Sequence, residues 1–129
     1  MCFDEAGLGA QLFGPHPAAE VLIGELDGVP RGFALFFHNF STFEGRRGLY
    51  LEDLYVQPEA RGMGLGLSLV RACARIARER DCARFEWAVL DWNEPSIAFY
   101  RALGAEMKPD WRVMRVEGDA LRGLAEGLI

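Results

Sequence analysis

The chain has 129 residues, enough for one domain with its own core. Half of the residues are hydrophobic, and nine Phe, three Trp and three Tyr demand burial, which excludes a disordered chain. A net charge of −5 argues against general nucleic-acid binding, and the longest apolar run, Gly32 to Phe37, is far short of the roughly 20 residues of a membrane span.

In chain order, residues 4–13 are expected to form a short helix, ended by Gly14-Pro15. Glu20 to Leu26 reads as a strand, Asp27-Gly28 as a tight turn, and Arg31 to Phe40 as the second strand of a hairpin. A polar connection with Gly45 and Gly48 leads to a third strand, Leu49 to Val56, closed by Pro58. Residues 64–80 carry the clearest helical period. Gly66, Leu69, Val70, Cys73, Ile76 and Ala77 recur on one side, with Arg71, Arg75, Arg78 and Glu79 on the other. Arg84 to Leu90 reads as a strand, Asn93 to Leu103 as a helix capped by Gly104, Trp111 to Val116 as a last strand, and residues 118–128 as a helix or tail. The order predicts a mixed α/β fold with a right-handed strand–helix–strand crossover over 49–90. Trp87, Trp92 and Trp111 are assigned to the core.

Cys2, Cys73 and Cys82 are odd in number and show no metal-ligand spacing, and the N-terminus has no apolar signal region. A reducing cytoplasm, no metal and no membrane follow as expectations. His16 stands between two prolines and His38 on a strand without a second ligand, so neither suggests a metal site.

Three stretches can carry chemistry. The first is Gln57-Pro58-Glu59-Ala60-Arg61-Gly62-Met63-Gly64-Leu65-Gly66, between a strand and a helix start. Backbone N–H groups at such a start are free, lie at the positive end of the helix dipole, and suit a pyrophosphate. A P-loop is excluded because no Lys follows, and a dinucleotide fingerprint because Leu67 holds the place of its third glycine. The plain alternative is a loop that only turns tightly. The second stretch is Trp92 to Tyr100, where a helix brings Asn93, Ser96 or Ile97, and Tyr100 to one face. Its plain alternative is a core aromatic with a satisfied hydroxyl. The third is Glu52-Asp53 within an apolar strand. Strict alternation groups Glu52 with Tyr50, Leu54 and Val56, and Asp53 with Leu51 and Tyr55, one carboxylate on each face. Glu52 is then desolvated on an apolar strand face, unless an edge or a bulge exposes the pair.

Together these stretches resemble the GNAT superfamily of acetyl-CoA-dependent N-acetyltransferases. Arg61-Gly62-Met63-Gly64-Leu65-Gly66 matches the superfamily's Arg/Gln-x-x-Gly-x-Gly/Ala signature. Leu49 to Val56, Trp92 to Tyr100, Leu103-Gly104-Ala105 and Phe13 to Pro17 are similar to its diamine (spermidine/spermine and thialysine) branch. The resemblance implies a mixed central sheet with splayed parallel strands, helices on both faces, and one acetyltransferase domain over 1–129. It implies that backbone amides of Arg61, Gly62, Met63, Gly64, Leu65 and Gly66 hold the CoA pyrophosphate. Leu54 and Val56 would flank the pantetheine, and Asn93 would help hold the CoA arm. Tyr100 would be the general acid, Glu52 the base acting through water, and Asp53 a partner for a cationic amine. The fold normally opens with a strand and a helix ahead of the point where this sequence begins, about 25 residues at average lengths. Their absence is expected to expose the edge of the 20–26 strand and to favour a homodimer. The function implied is transfer of an acetyl group to a primary amine of the diamine, polyamine or thialysine kind. The second reading is an acyl-CoA-binding module without acceptor chemistry, against which the retention of both Glu52 and Tyr100 speaks.

Overall fold

The computed structural model describes residues 17–127. The helix expected over 4–13, Cys2 and His16 lie outside that range. The chain divides into two compact units, Met1–Ala88 and Val89–Ile129.

The first unit is built on a four-stranded sheet of order β1-β2-β3-β4: β1 Glu20–Leu26, β2 Val29–Ser41, β3 Arg46–Val56 and β4 Phe85–Glu86. The Asp27-Gly28 turn has positive φ at both residues, 52° and 77°, and joins Leu26 directly to its partner Val29. That is the hairpin turn whose twist matches the strands. β1, β2 and β3 pair antiparallel, and β4 is parallel to β3. The crossover between β3 and β4 contains a 3-10 turn, Pro58–Ala60, and helix α1, Leu65–Glu79. Leu65, Leu69, Cys73 and Ala77 of α1 are buried with Ala34, Phe36, Leu49 and Leu51 of the sheet, which forms the core. Burial pushes the Cys73 thiol up to about 11, so it acts as a small apolar side chain.

β3 departs from strict alternation. Leu35 pairs with Asp53 and Phe36 with Leu51, which leaves Glu52 as the extra residue of a bulge. Beyond it the faces exchange. Leu54 and Val56 join Leu49 and Leu51 against α1, while Tyr50 pairs its ring with Phe37 and Tyr55 with Phe33. The expected grouping of Glu52 with Leu54 and Val56 is corrected by that one residue.

β4 is also shorter than the strand expected over Arg84 to Leu90. Only Leu49↔Phe85 and Tyr50↔Glu86 are paired. The bulge bends β3 away just past this point, so the following residues find no continuing ladder.

The C-terminal end of α1 is tied to β1. Arg80 reaches both Glu20 carboxylate oxygens at 2.6 and 2.9 Å, and its Nη1 lies 3.3 Å from His38 Nε2. Hydrogen bonding to Arg80 holds the Glu20 carboxyl below its ordinary value of 4.5. Desolvation, then the charges of Arg47 and Arg80, lowers His38 below 6.5. Both groups bind protons more readily in the unfolded chain, so stability falls on acidification, first below pH 6.5 through His38 and then below 4.5 through Glu20. Thermal melts from pH 7 to 4 should show that decline, and His38→Gln should remove its upper part. Equal slopes for parent and variant between pH 6.5 and 5 would refute the assignment to His38.

The second unit contains α2, Glu94–Ala102, and α3, Gly118–Ala125. Asn93 Oδ1 accepts from Ser96 N at 3.3 Å and caps α2. At the other end Gly104, with φ 99°, donates to Arg101 O, and Ala105 N donates to Tyr100 O, a Schellman termination. Trp111 to Val116 is not a strand. Trp111, Val113 and Met114 are 78%, 81% and 92% exposed, so the apolar alternation there meets no ladder among the described residues. Trp111 and Trp92 are exposed rather than core; Trp87 alone of the three packs against the core.

Candidate active site

The glycine-rich loop is built where β3 runs out. Gln57 N donates to Arg31 O at 2.7 Å, and Arg31 Nη1 donates to Gln57 Oε1 at 3.0 Å, fixing the strand end to β2. The 3-10 turn follows, and Arg61 Nε returns to Val56 O at 3.1 Å. Gly62 and Gly64 then take φ of 83° and 82°. Gly64 is the N-cap of α1 and makes no side-chain cap bond. The first amides of this 15-residue helix therefore have no intrahelical acceptor.

Space and donors together decide what fits. A Cβ built on Gly62 or Gly64 would meet nothing within 4 Å, and one on Gly66 only Val56 Cγ2 at 3.8 Å. The loop is thus an open cradle lined by free backbone donors at a positive helix end, which fits a pyrophosphate. A side chain at Gly64 would fill that opening and strain the positive φ. Gly64→Val should abolish CoA binding in calorimetry; unchanged affinity would remove the loop from the site. Met63 is 66% exposed, leaving its backbone as what it offers, while Arg61 is turned back to the strand by its side chain and its backbone N–H donates to Pro58 O at 3.3 Å.

Leu54 and Val56 direct their side chains toward the core, so what they can present is backbone. Past Tyr50, the β4-side edge of β3 has no ladder partner among the described residues. An extended, amide-bearing chain can lie along such an edge.

Glu52 and Asp53 are both exposed, in the single interval between Leu51 and Leu54. The expected desolvation of Glu52, and the separation of the two carboxylates onto opposite faces, are both corrected by the bulge. Glu86, which sequence reading did not single out, is the ladder partner of Tyr50. It receives Asn39 Nδ2 at 3.4 Å and lies 3.7 Å from Arg84 Nε. Burial, then the negative charges of Glu52 and Glu86, raises the Tyr50 phenol above its ordinary value. The alternation of Phe85, Glu86 and Trp87 was the available signal: one acidic residue facing away from two core aromatics.

Asn93 and Tyr100 belong to the second unit. Their spacing of seven puts them on one face of α2, with Asn93 serving as its cap. Burial raises Tyr100 above the ordinary value of 10.0, so the phenol keeps its proton at neutral pH. A hollow of ≈ 370 Å³ in the same unit is lined by Asp91, Glu94, Ile97, Ala98, Arg101 and Met107, and includes neither Asn93 nor Tyr100. The structure therefore gathers Glu52, Asp53 and the glycine loop along β3 and its extension, and Asn93 with Tyr100 on α2. Among the described residues no group of three His, Cys, Asp or Glu is placed to hold a metal ion, and no helix is long and apolar enough to cross a membrane.

A family model described as "Acetyltransferase (GNAT) family" matches residues 3–105. The chain belongs to that family. It is an N-acetyltransferase, with the GNAT fold in its mixed sheet and crossover helix. It is 37% identical over 132 residues to a thialysine N-epsilon-acetyltransferase of Bos taurus, covering 94% of this chain and 77% of that one. It is 40% identical over 98 residues to an L-ornithine N5-acetyltransferase of Arabidopsis thaliana, covering 76% and 43%. An integron cassette protein from the mobile metagenome of V. cholerae superposes with a TM-score of 0.83 at 30% identity, over 96% of this chain and 79% of that one. A spermidine/spermine N(1)-acetyltransferase-like protein of Homo sapiens is 28% identical over 123 residues, in keeping with the diamine acetyltransferase branch.

Proposed function

We propose that the chain is a single acetyltransferase domain over 1–129 that moves an acetyl group from acetyl-CoA to a primary amine of the diamine, polyamine or thialysine class by direct attack. The observation that carries this reading is the continuity of β3. The strand that ends in the pyrophosphate cradle carries, four and three residues before its end, two outward carboxylates at a bulge. Relatives of 36–40% identity that acetylate thialysine or ornithine support the acceptor class.

Acetyl-CoA, when bound, supplies an activated acetyl thioester. The backbone amides of Gly62 to Gly66 hold its pyrophosphate, the open β3 edge near Leu54 and Val56 flanks the pantetheine, and Asn93 steadies the arm. Asp53 attracts the cationic acceptor, Glu52 receives a proton from its attacking nitrogen through water, and Tyr100 gives a proton to the departing sulfur. A panel of diamines, polyamines, thialysine and lysine-like amines, read by CoA release, tests the reading. CoA binding without release on any amine would leave the binding-module reading in its place.

Assembly and place in the cell form part of the same proposal. β1 is the outer strand of the described sheet, and its Ile23 is 57% exposed. Unpaired, partly apolar edges seek partners, and a second copy of this chain covers it in a homodimer. Light scattering should give twice the chain mass at micromolar concentration; a monomer throughout would refute it. Cys73 and Cys82 are free thiols, in keeping with a reducing cytoplasm.

A further inference from the structure

Gly24 of β1 and Gly32 of β2 face each other directly across the hairpin. Neither sits in a turn, and strand interiors disfavour glycine unless a neighbour approaches closely. The neighbour is Leu65. A Cβ on Gly24 would lie 2.8 Å from Leu65 Cδ1 and 3.3 Å from its Cγ. A Cβ on Gly32 would lie 3.3 Å from Leu65 Cδ2 and 2.5 Å from Tyr55 O. The paired glycines thus leave a dimple in the sheet, and the two methyls of Leu65 fill it.

Leu65 is the first residue of α1 and follows the Gly62–Gly64 cradle; its side chain is almost wholly buried, at 7% exposure. The loop before it is held as far as Arg61 by hydrogen bonds, and past the glycines by Leu65. The first hold is polar and begins at the Arg31–Gln57 pair of hydrogen bonds. The second is Leu65 in its dimple. Between them, free amides project from glycines that have no side chains to fix them. The direction of those amides follows from where Leu65 seats.

We propose that Gly24 and Gly32 are positioning residues for coenzyme A binding: they form a socket that seats Leu65 and thereby aims the backbone donors of the 61–66 loop. The inference rests on the reading of that loop as the coenzyme A cradle. Small displacements of such donors are costly, because hydrogen bonds to a phosphate weaken steeply with angle and distance.

Gly24 and Gly32 differ in what a methyl would meet. At Gly32 it meets backbone, and the sheet itself must move. At Gly24 it meets side chains and no backbone, Leu65 most closely and Leu69 Cδ1 at 3.4 Å, so the disturbance passes to the start of α1. Gly24→Ala is therefore the cleaner probe. Coenzyme A is titrated calorimetrically into the 129-residue chain, and acetyl transfer is measured beside it. Gly24→Ala should raise the Kd for coenzyme A about tenfold. It should raise KM for acetyl-CoA in parallel and keep kcat at saturation.

Leu65→Val, which withdraws the colliding methyl, should also weaken binding alone, by loosening the seat. In the Gly24→Ala background it should recover affinity to within about threefold of the parent, since the two changes offset one another in volume. A general loss of stability would not produce that recovery. If the parent binds coenzyme A and Gly24→Ala binds it equally well, the socket is refuted while the cradle stands. Failure of Leu65→Val to recover the double variant also refutes it. If Gly24→Ala does not fold, unchanged affinity of Leu65→Val alone refutes the socket. If the parent itself binds no coenzyme A, the cradle reading falls and the socket with it.

Discussion

Tyr100→Phe is expected to lower kcat about 10²-fold and to leave KM for acetyl-CoA unchanged. The departing group is a thiolate, whose conjugate acid has an ordinary pKa of about 8.5. It is a tolerable leaving group, so the proton is helpful and not indispensable. The proposed donor is a phenol that burial raises above 10.0. It holds its proton at neutral pH, which an acid must, but transfer from phenol to thiolate runs uphill by more than one pKa unit. Acid catalysis is worth about 10²–10⁴-fold in general. The mismatch of acidities puts Tyr100 at the lower end of that range. Phenylalanine keeps the ring and its packing against Phe99, 5.3 Å away between centroids, so the change isolates the hydroxyl. Steady-state kinetics under saturating acetyl-CoA decide the matter. A fall of less than about threefold would return Tyr100 to a packing role.

The parts of this fold legible from sequence are those whose signal is local. Asp27-Gly28 announces the hairpin because positive φ at both positions has few chemical solutions. The apolar stripe from Leu65 to Ala77 announces α1 because it needs only one face of the sheet to answer it. The glycine pattern over Arg61 to Gly66 was legible for the same reason: its spacing is local, and Gly62 and Gly64 take the positive φ that glycine permits. The bulge at Glu52 left a weaker mark, two adjacent carboxylates in an apolar strand, which raised a bulge as one alternative without fixing it. No Gly or Pro stands in Glu52-Asp53, and a bulge is set by the partner strand's register, which is non-local. Alternation counted through it therefore put Leu54 and Val56 on the wrong face. The strand expected from Trp111 to Val116 failed for a related reason: alternation describes a strand that has a neighbour, and none of the described residues supplies one there. Glu86 escaped notice because its relevance comes from lying beside Tyr50 on an adjacent strand.

The bulge also shapes what removal of Glu52 should do. An alkylammonium with a pKa of about 10.4 is neutral only about once in 2,500 molecules at pH 7. Bond formation to the thioester carbon then makes the nitrogen cationic and far more acidic, and its proton must leave as the amide forms. A carboxylate is too weak a base to strip the free ammonium, but it can receive this second, more acidic proton through one water. Glu52, exposed and unpaired in the ladder, is accessible to such a water. Glu52→Gln keeps the shape and removes the base. The expected result is a fall in kcat/KM of about 10²-fold near neutral pH, partly recovered at high pH, where more acceptor is neutral and hydroxide can act. Strict alternation would have turned Asp53 to the opposite face and left it unable to substitute. The bulge instead leaves both carboxylates exposed within one interval of the strand, so Asp53 should carry a residual rate. Asp53→Asn alone should mainly raise KM for the amine, by loss of its attraction for a cation. The double variant should fall further than Glu52→Gln. A Glu52→Gln enzyme with the parent's rate and pH profile would place the base elsewhere. A double variant no slower than Glu52→Gln would show that Asp53 does not back it up.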